Sequence, residues 1–212
     1  MARIRRPLSA NLTHHVTAKA IPPQICFVDN DSRGTFRQLL ASLANQVRVE
    51  IHAYAMMDNH LHLMLTAREQ NALAVAMRIL LGRHTMLLNR AKGRQGPLWH
   101  DRYATVPVES DDHAINTHLY IDANPWRARV VEHPRESDWT SYLALAEGLG
   151  SAFLTPHPVI AQLGKDSSER QAVYRRIMER YIKESPRFKM NGNGRQAADP
   201  LAGLRLSQYT EA

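Results

Sequence analysis

The sequence predicts an α+β domain in which two helices pack on one face of an antiparallel sheet, and three features of the 212 residues carry that expectation. Strand-like alternation and helical periodicity follow one another in the order β-α-β-β-α-β-α. The central strands are joined across Asp58-Asn59, a two-residue turn that only antiparallel neighbours permit. Hydrophobic residues make up 44% of the chain, enough for one core but short of two full domains.

Each element has its own local reason. HVTAKA, from His15 to Ala20, alternates as a strand, and Pro22-Pro23 breaks it. Asp31-Ser32 supplies a cap, after which Phe36, Leu39, Leu40 and Leu43 recur at helical intervals, giving an amphipathic helix over 32–45. Val47, Val49, Ile51 and Ala53 then alternate with Arg48, Glu50, His52 and Tyr54, and the hairpin returns along 60–66. Leu73, Met77, Leu80, Leu81 and Leu88 predict a second helix over 71–90, ended by the basic loop from Gly93 to Pro97. Tyr103 to Val108 reads as the fourth strand, and Asp111-Asp112 opens a third helix carrying Ile115, Leu119 and Ile121. The first six elements form the split βαβ, ferredoxin-like order, with the third helix added to it.

After 148 the character changes. Pro156 and Pro158 flank His157, and Asp166 with Glu169 introduces a helix over 168–183, so 149–184 is expected to be a small helical appendage to a main domain spanning 1–148. From 185 to 212 the chain is rich in Asn, Gly, Gln and Arg without sustained periodicity, the composition of a flexible tail.

Lys and Arg number 27 against 20 for Asp and Glu, a formal charge of +7, which favours phosphate-bearing partners. Arg3, Arg5 and Arg6 form a basic N-terminal arm suited to DNA phosphates. The single cysteine, Cys26, excludes an internal disulfide and a four-thiolate zinc site. No apolar run approaches the ~20 residues of a membrane span, and none follows the arm as a signal peptide requires. A soluble cytoplasmic protein with no membrane partner is expected.

The chemistry concentrates in two places. His60 and His62 flank Leu61, and a strand's period of two puts both imidazoles on one face about 7 Å apart. With 11 histidines in the chain, chance supplies roughly 0.6 such pairs, so the pair alone favours a structural role. Its setting in an otherwise apolar strand raises it, because buried imidazoles must find partners or a metal. Tyr120 and Asn124 lie one turn apart on the third helix, about 6 Å along its axis. Alone, Tyr120 reads as a core tyrosine and Asn124 before Pro125 as a helix end. Together the four make chemical sense: a tyrosine hydroxyl is a weak nucleophile until its electrophile is polarised, and Mg²⁺ or Mn²⁺ on His60, His62 and the Asn124 amide oxygen suits that task at a phosphate. Arg102 and Arg127 are candidates for DNA phosphates and equally for capping or solvated roles, and core packing is the default for Trp99 and Tyr103. His14, His15, His52, His113 and His118 show no further metal spacing and are read as ordinary histidines.

At this point the sequence resembles a known family. AYAMMDNHLHLML resembles the histidine-hydrophobe-histidine signature of single-tyrosine HUH transposases, and HLYIDANPWRARVVEHPRESDWTSY resembles a segment of their REP-associated tyrosine transposase branch. HVTAKA, LWHDRY and the stretch from Trp139 to Tyr142 add to a likeness that covers roughly 5–145. The resemblance implies a metal held by His60 and His62, a third ligand at Asn124, and Tyr120 as the nucleophile that takes up a 5′-phosphotyrosine link and leaves a free 3′-OH. It also implies single-stranded or hairpin DNA from palindromic repeats as substrate, and a monomer or homodimer. Met57-Asp58 stands where relatives usually show Met-Pro, and Lys19-Ala20 where Arg-Gly is common, neither falling on a residue presumed to do chemistry. Two other readings compete with the transposase: a domesticated nucleic-acid-binding module that cuts nothing, and a metal hydrolase that activates water and forms no covalent species.

Overall fold

The computed structural model describes residues 10–46 and 48–185. Arg3, Arg5 and Arg6 lie outside the described residues, as do Val47 and the tail after Ser185. Among the described residues, β1 (Thr13–Lys19), β2 (Val49–Met57), β3 (His60–Ala67) and β4 (Ala104–Pro107) form one antiparallel sheet in the order β2-β3-β1-β4. The connections pass through α1 (Asn30–Gln46) and α2 (Ala72–Lys92), which completes the split βαβ arrangement. The Asp29 carboxylate accepts from the Ser32 backbone at 2.8 Å and so caps α1. At the end of α2, Gly93 adopts φ 61° and returns its N–H to Asn89 O, a left-handed cap that glycine enters without steric cost.

The alternation of β1 and β3 sorts side chains onto two faces. Val16, Ala18, Leu61, Leu63 and Leu65 join Phe36 and Leu40 of α1 and Leu73, Met77 and Leu80 of α2 in one core. Full burial of each large aliphatic side chain contributes about 1.5–3 kcal/mol, which is why these two helices share that face. The opposite face carries Met64, Ala53 and Ala55 and is covered by α3 (Asp111–Asp122) through Ala114, Ile115 and Leu119. α+β, with the first two helices on one face and the added helix on the other, is the architecture of this chain.

The expected unbroken alternation of β2 is corrected. A bulge between Ile51 and Ala53 inserts His52 and swaps the faces beyond it, so Tyr54 and Met56 join the first core while Ala53 and Ala55 join the second. Hydrogen bonds to the neighbouring strand and to a segment remote in sequence hold the bulged residue: His52 Nδ1 lies 2.7 Å from Thr155 O and Nε2 lies 2.8 Å from Thr66 Oγ1.

Beyond α3 come α4 (Asn124–Arg127), α5 (Tyr142–Glu147), α6 (Pro158–Ala161) and α7 (Ser167–Glu184). The chain from Trp139 to Thr155 runs along the outer edge of β2, with Met56 N to Trp139 O at 2.9 Å, Ser141 N to Tyr54 O at 3.0 Å and Thr155 N to Ile51 O at 2.8 Å. These bonds satisfy an edge that would otherwise expose a row of polar groups. On α7, Tyr174, Ile177, Met178 and Tyr181 are fully buried in the same core as Leu119, so residues 149–184 share a hydrophobic layer with α3.

Candidate metal and nucleophile site

The site is assembled on the sheet face away from α1 and α2. In the β1–β3 register Lys19 stands opposite His60 and Thr17 opposite His62, and directly opposed residues share a face. His60 and His62 therefore project together, with ring centroids 5.0 Å apart and planes at 89°. α3 crosses above them and brings the Tyr120 ring edge-on to His62 at 5.5 Å. Its N-terminus is capped by Ser110, whose hydroxyl accepts from His113 N at 3.1 Å. The fold thus brings His60, His62 and Tyr120 together, and it adds His15, whose ring lies 5.1 Å from His62 and 5.8 Å from Tyr120.

His62 is buried, and its two nitrogens differ. Nδ1 lies 2.9 Å from His15 Nε2 and 3.2 Å from Thr17 Oγ1, whereas the buried Nε2 has no hydrogen-bond partner. His60 Nδ1 lies 2.7 Å from Asn59 Oδ1, which can only accept, so the His60 Nε2 lone pair stays available. Burial drives the His62 pKa well below the usual imidazole range, with His15 and His60 adding to the effect. Burial, then the Lys19 cation, lowers His60 to about 4. Both rings are neutral at physiological pH, the form that binds a metal.

An orphaned, buried imidazole nitrogen beside a second neutral imidazole fits a divalent cation. Among the described residues no group of three or more His, Cys, Asp or Glu is placed to hold a metal, so further ligands must come from other donors. The Asn124 amide oxygen is expected from the sequence to be such a donor. α3 stops at Asp122 because Pro125 has no N–H to donate back to Ile121, and Asn124 becomes the first residue of α4, with Pro125 in its first turn. Its Nδ2 donates to Tyr120 O at 2.8 Å, so the amide is tied to the backbone of the tyrosine turn.

The two candidate arginines differ in exposure. Arg127, expected at DNA phosphates, is only 1% exposed. Its Cζ lies 5.3 Å from the Tyr120 ring centroid and its guanidinium donates to Tyr181 OH at 2.8 Å. It therefore faces the tyrosine ring and α7 rather than solvent. Arg102 is exposed beside Asp101. The two departures from the family pattern lie closer to the chemistry than their sequence positions suggested: Lys19 and Asp58 both act electrostatically on His60.

Sequence reasoning missed His15 and Thr17. Their signal was the HVTAKA alternation, which puts His15, Thr17 and Lys19 on one face, but the partner strand was not legible. It also missed Asp122, fully buried on α3, which accepts from Ser141 Oγ at 2.5 Å and Tyr174 OH at 2.7 Å. Burial pushes its pKa up to about 7, against those two hydrogen bonds.

No helix of the described residues is long and apolar enough to cross a membrane. Among solved structures the chain is similar to a REP-associated tyrosine transposase bound to a REP hairpin, at 16% identity and a TM-score of 0.59, covering 74% of this chain and 93% of that one. It is also similar to a chain from Deinococcus radiodurans R1 assigned to the transposases, at 22% identity and a TM-score of 0.40, covering 53% of this chain and 91% of that one. No curated protein matches. The family model described as "Transposase IS200 like" matches residues 10–124, more than half of the chain, and the chain belongs to this family of IS200-like transposases.

Proposed function

We propose that this transposase is a single-tyrosine HUH endonuclease and strand transferase, cutting single-stranded or hairpin DNA of palindromic repeats through a covalent link to Tyr120. The observation that carries the reading is the meeting of Tyr120 with His62 at 5.5 Å, next to a buried His62 Nε2 that has no protein partner. The hairpin substrate is taken over from the REP-hairpin-bound structure of similar fold.

In this reading the Tyr120 oxygen attacks the scissile phosphorus as the bond from phosphorus to the 3′ oxygen breaks. The phenol gives up one proton and the departing oxygen takes one, leaving a 5′-phosphotyrosine and a free 3′-OH. The link keeps the phosphoester bond for rejoining. A divalent cation, Mg²⁺ or Mn²⁺, held by His60 and His62 with Asn124 as the further ligand, would supply Lewis acidity at a phosphate oxygen. Arg127 holds the Tyr120 ring from one side and places a positive charge beside it. Lys19, exposed opposite His60, offers a cation to the incoming phosphate.

Incubation with a cleavable single-stranded oligonucleotide and Mg²⁺ should yield an adduct that survives denaturing electrophoresis, and Tyr120→Phe should erase it. Cleavage without an adduct would establish a water-activating hydrolase instead. Binding without cleavage would establish a non-catalytic module.

A further inference from the structure

We propose that His15 is a positioning residue of this site: together with Thr17 it holds the Nδ1 edge of His62, so that the Nε2 edge is the one offered to a divalent cation. The proposal rests on the reading of His60 and His62 as the metal-holding pair.

A neutral imidazole carries one N–H, on either nitrogen, and only the other nitrogen has a lone pair to give. Around His62 the two choices are unequal. A proton on Nδ1 finds His15 Nε2 at 2.9 Å and Thr17 Oγ1 at 3.2 Å, both able to accept. A proton on Nε2 is buried with no acceptor. Buried N–H groups without an acceptor are avoided, so these neighbours favour the Nδ1–H tautomer and leave the Nε2 lone pair bare. Metal-bound histidines depend on such an outer partner for tautomer and ring orientation.

β1 builds the arrangement. Thr17 pairs directly with His62, and His15, two residues back on the same face, pairs with Met64 and reaches the His62 ring diagonally. The same imidazole meets the Tyr120 ring at 5.8 Å with its plane turned by 69°. His15 therefore also sets the spacing between the metal-holding ring and the nucleophile, while its own Nε2 is directed at His62.

Titration of the chelated full-length protein with Mn²⁺ by isothermal calorimetry tests the role without reference to cleavage. His15→Phe, which keeps a ring but removes both nitrogens, should weaken Mn²⁺ binding by about 10- to 100-fold. His15→Gln, whose amide oxygen accepts from Nδ1–H, should recover most of the affinity. Nitrogen-15 shifts of the metal-free protein should show the single His62 proton on Nδ1 in wild type and in His15→Gln, and divided between the Nδ1–H and Nε2–H tautomers in His15→Phe. If His15→Phe binds Mn²⁺ as wild type does while His62→Ala does not, His15 has no positioning role and the metal pair stands. If His62→Ala binds with wild-type affinity, the metal reading of the pair fails and the proposal falls with it. A wild-type His62 proton on Nε2 overturns the proposal without any variant, which covers the case in which His15→Phe does not fold.

Discussion

The Tyr174 hydroxyl of α7 donates to the Asp122 carboxyl across 2.7 Å, two residues past Tyr120 on the face of α3 turned toward the C-terminal segment. Ser141, from the strip that covers the β2 edge, donates to the other oxygen of the same carboxyl. The helix that carries the proposed nucleophile is thus clamped from below by the sheet and from behind by two polar side chains remote in sequence. A buried carboxyl in such a clamp makes the pH dependence of stability specific to one residue.

Asp122 has an ordinary value of 3.8 and is raised to about 7 by burial. Between these values the folded protein holds a proton that the unfolded chain has lost. The stability contributed by protonated Asp122 is therefore complete below the ordinary carboxylate range and is lost as pH rises through about 7. Relative to Asp122→Asn, wild type should lose on the order of 4 kcal/mol between about pH 4 and pH 8, at about 1.4 kcal/mol per tenfold change in proton affinity. Denaturant midpoints of the two proteins across that window check it, and parallel profiles would remove Asp122 as the titrating group.

His84 should act with the opposite sign. It is packed among Phe27, Phe36 and Trp99 at centroid distances of 5.1, 4.8 and 5.6 Å, and neither ring nitrogen has a hydrogen-bond partner. Burial lowers its pKa to about 4, so its stability is present above the ordinary 6.5 and is lost as pH falls toward 4. His84→Phe should flatten the acid limb of the stability profile by about 3 kcal/mol and leave the neutral value unchanged or higher. An acid limb as steep as that of wild type counts against this assignment.

Replacement of His60 or His62 with Ala should abolish cleavage while the protein still unfolds cooperatively, because a metal ligand contributes mainly to its site. Activity of the chelated native protein should return with Mn²⁺ or Mg²⁺. Full cleavage by the double variant in EDTA would take the cation out of the mechanism.

The basic arm with Arg3, Arg5 and Arg6 lies outside the described residues, yet its charge makes a measurable claim. Each phosphate it neutralises on a single strand should steepen the log-log salt dependence of binding by about 0.7. Deletion of residues 1–7 should flatten that slope. The same slope on the same oligonucleotide would place the arm away from DNA.

Much of the fold was legible because alternation and helical periodicity are local properties of the chain. The Asp58-Asn59 turn, the apolar stripes of α1 and α2 and the capped start of α3 all stand where the pattern put them. The bulge at His52 was not legible, because its advantage comes from Thr155 and Thr66, one of them on a distant segment.

Of the candidate site, the sequence by itself determined that His60 and His62 share a strand face, which follows from a repeat of two residues, whereas the expected shared helix of Tyr120 and Asn124 is divided between α3 and α4. Only the tertiary structure decided that Tyr120 meets His62, that His15 and Thr17 hold the far edge of that imidazole, and that Arg127 is buried under the tyrosine instead of facing solvent. Those relationships depend on the register of β1 against β3 and on the side of the sheet that α3 covers. Register and side are selected by summed burial and hydrogen bonding between segments remote in sequence, and no local spacing encodes that sum.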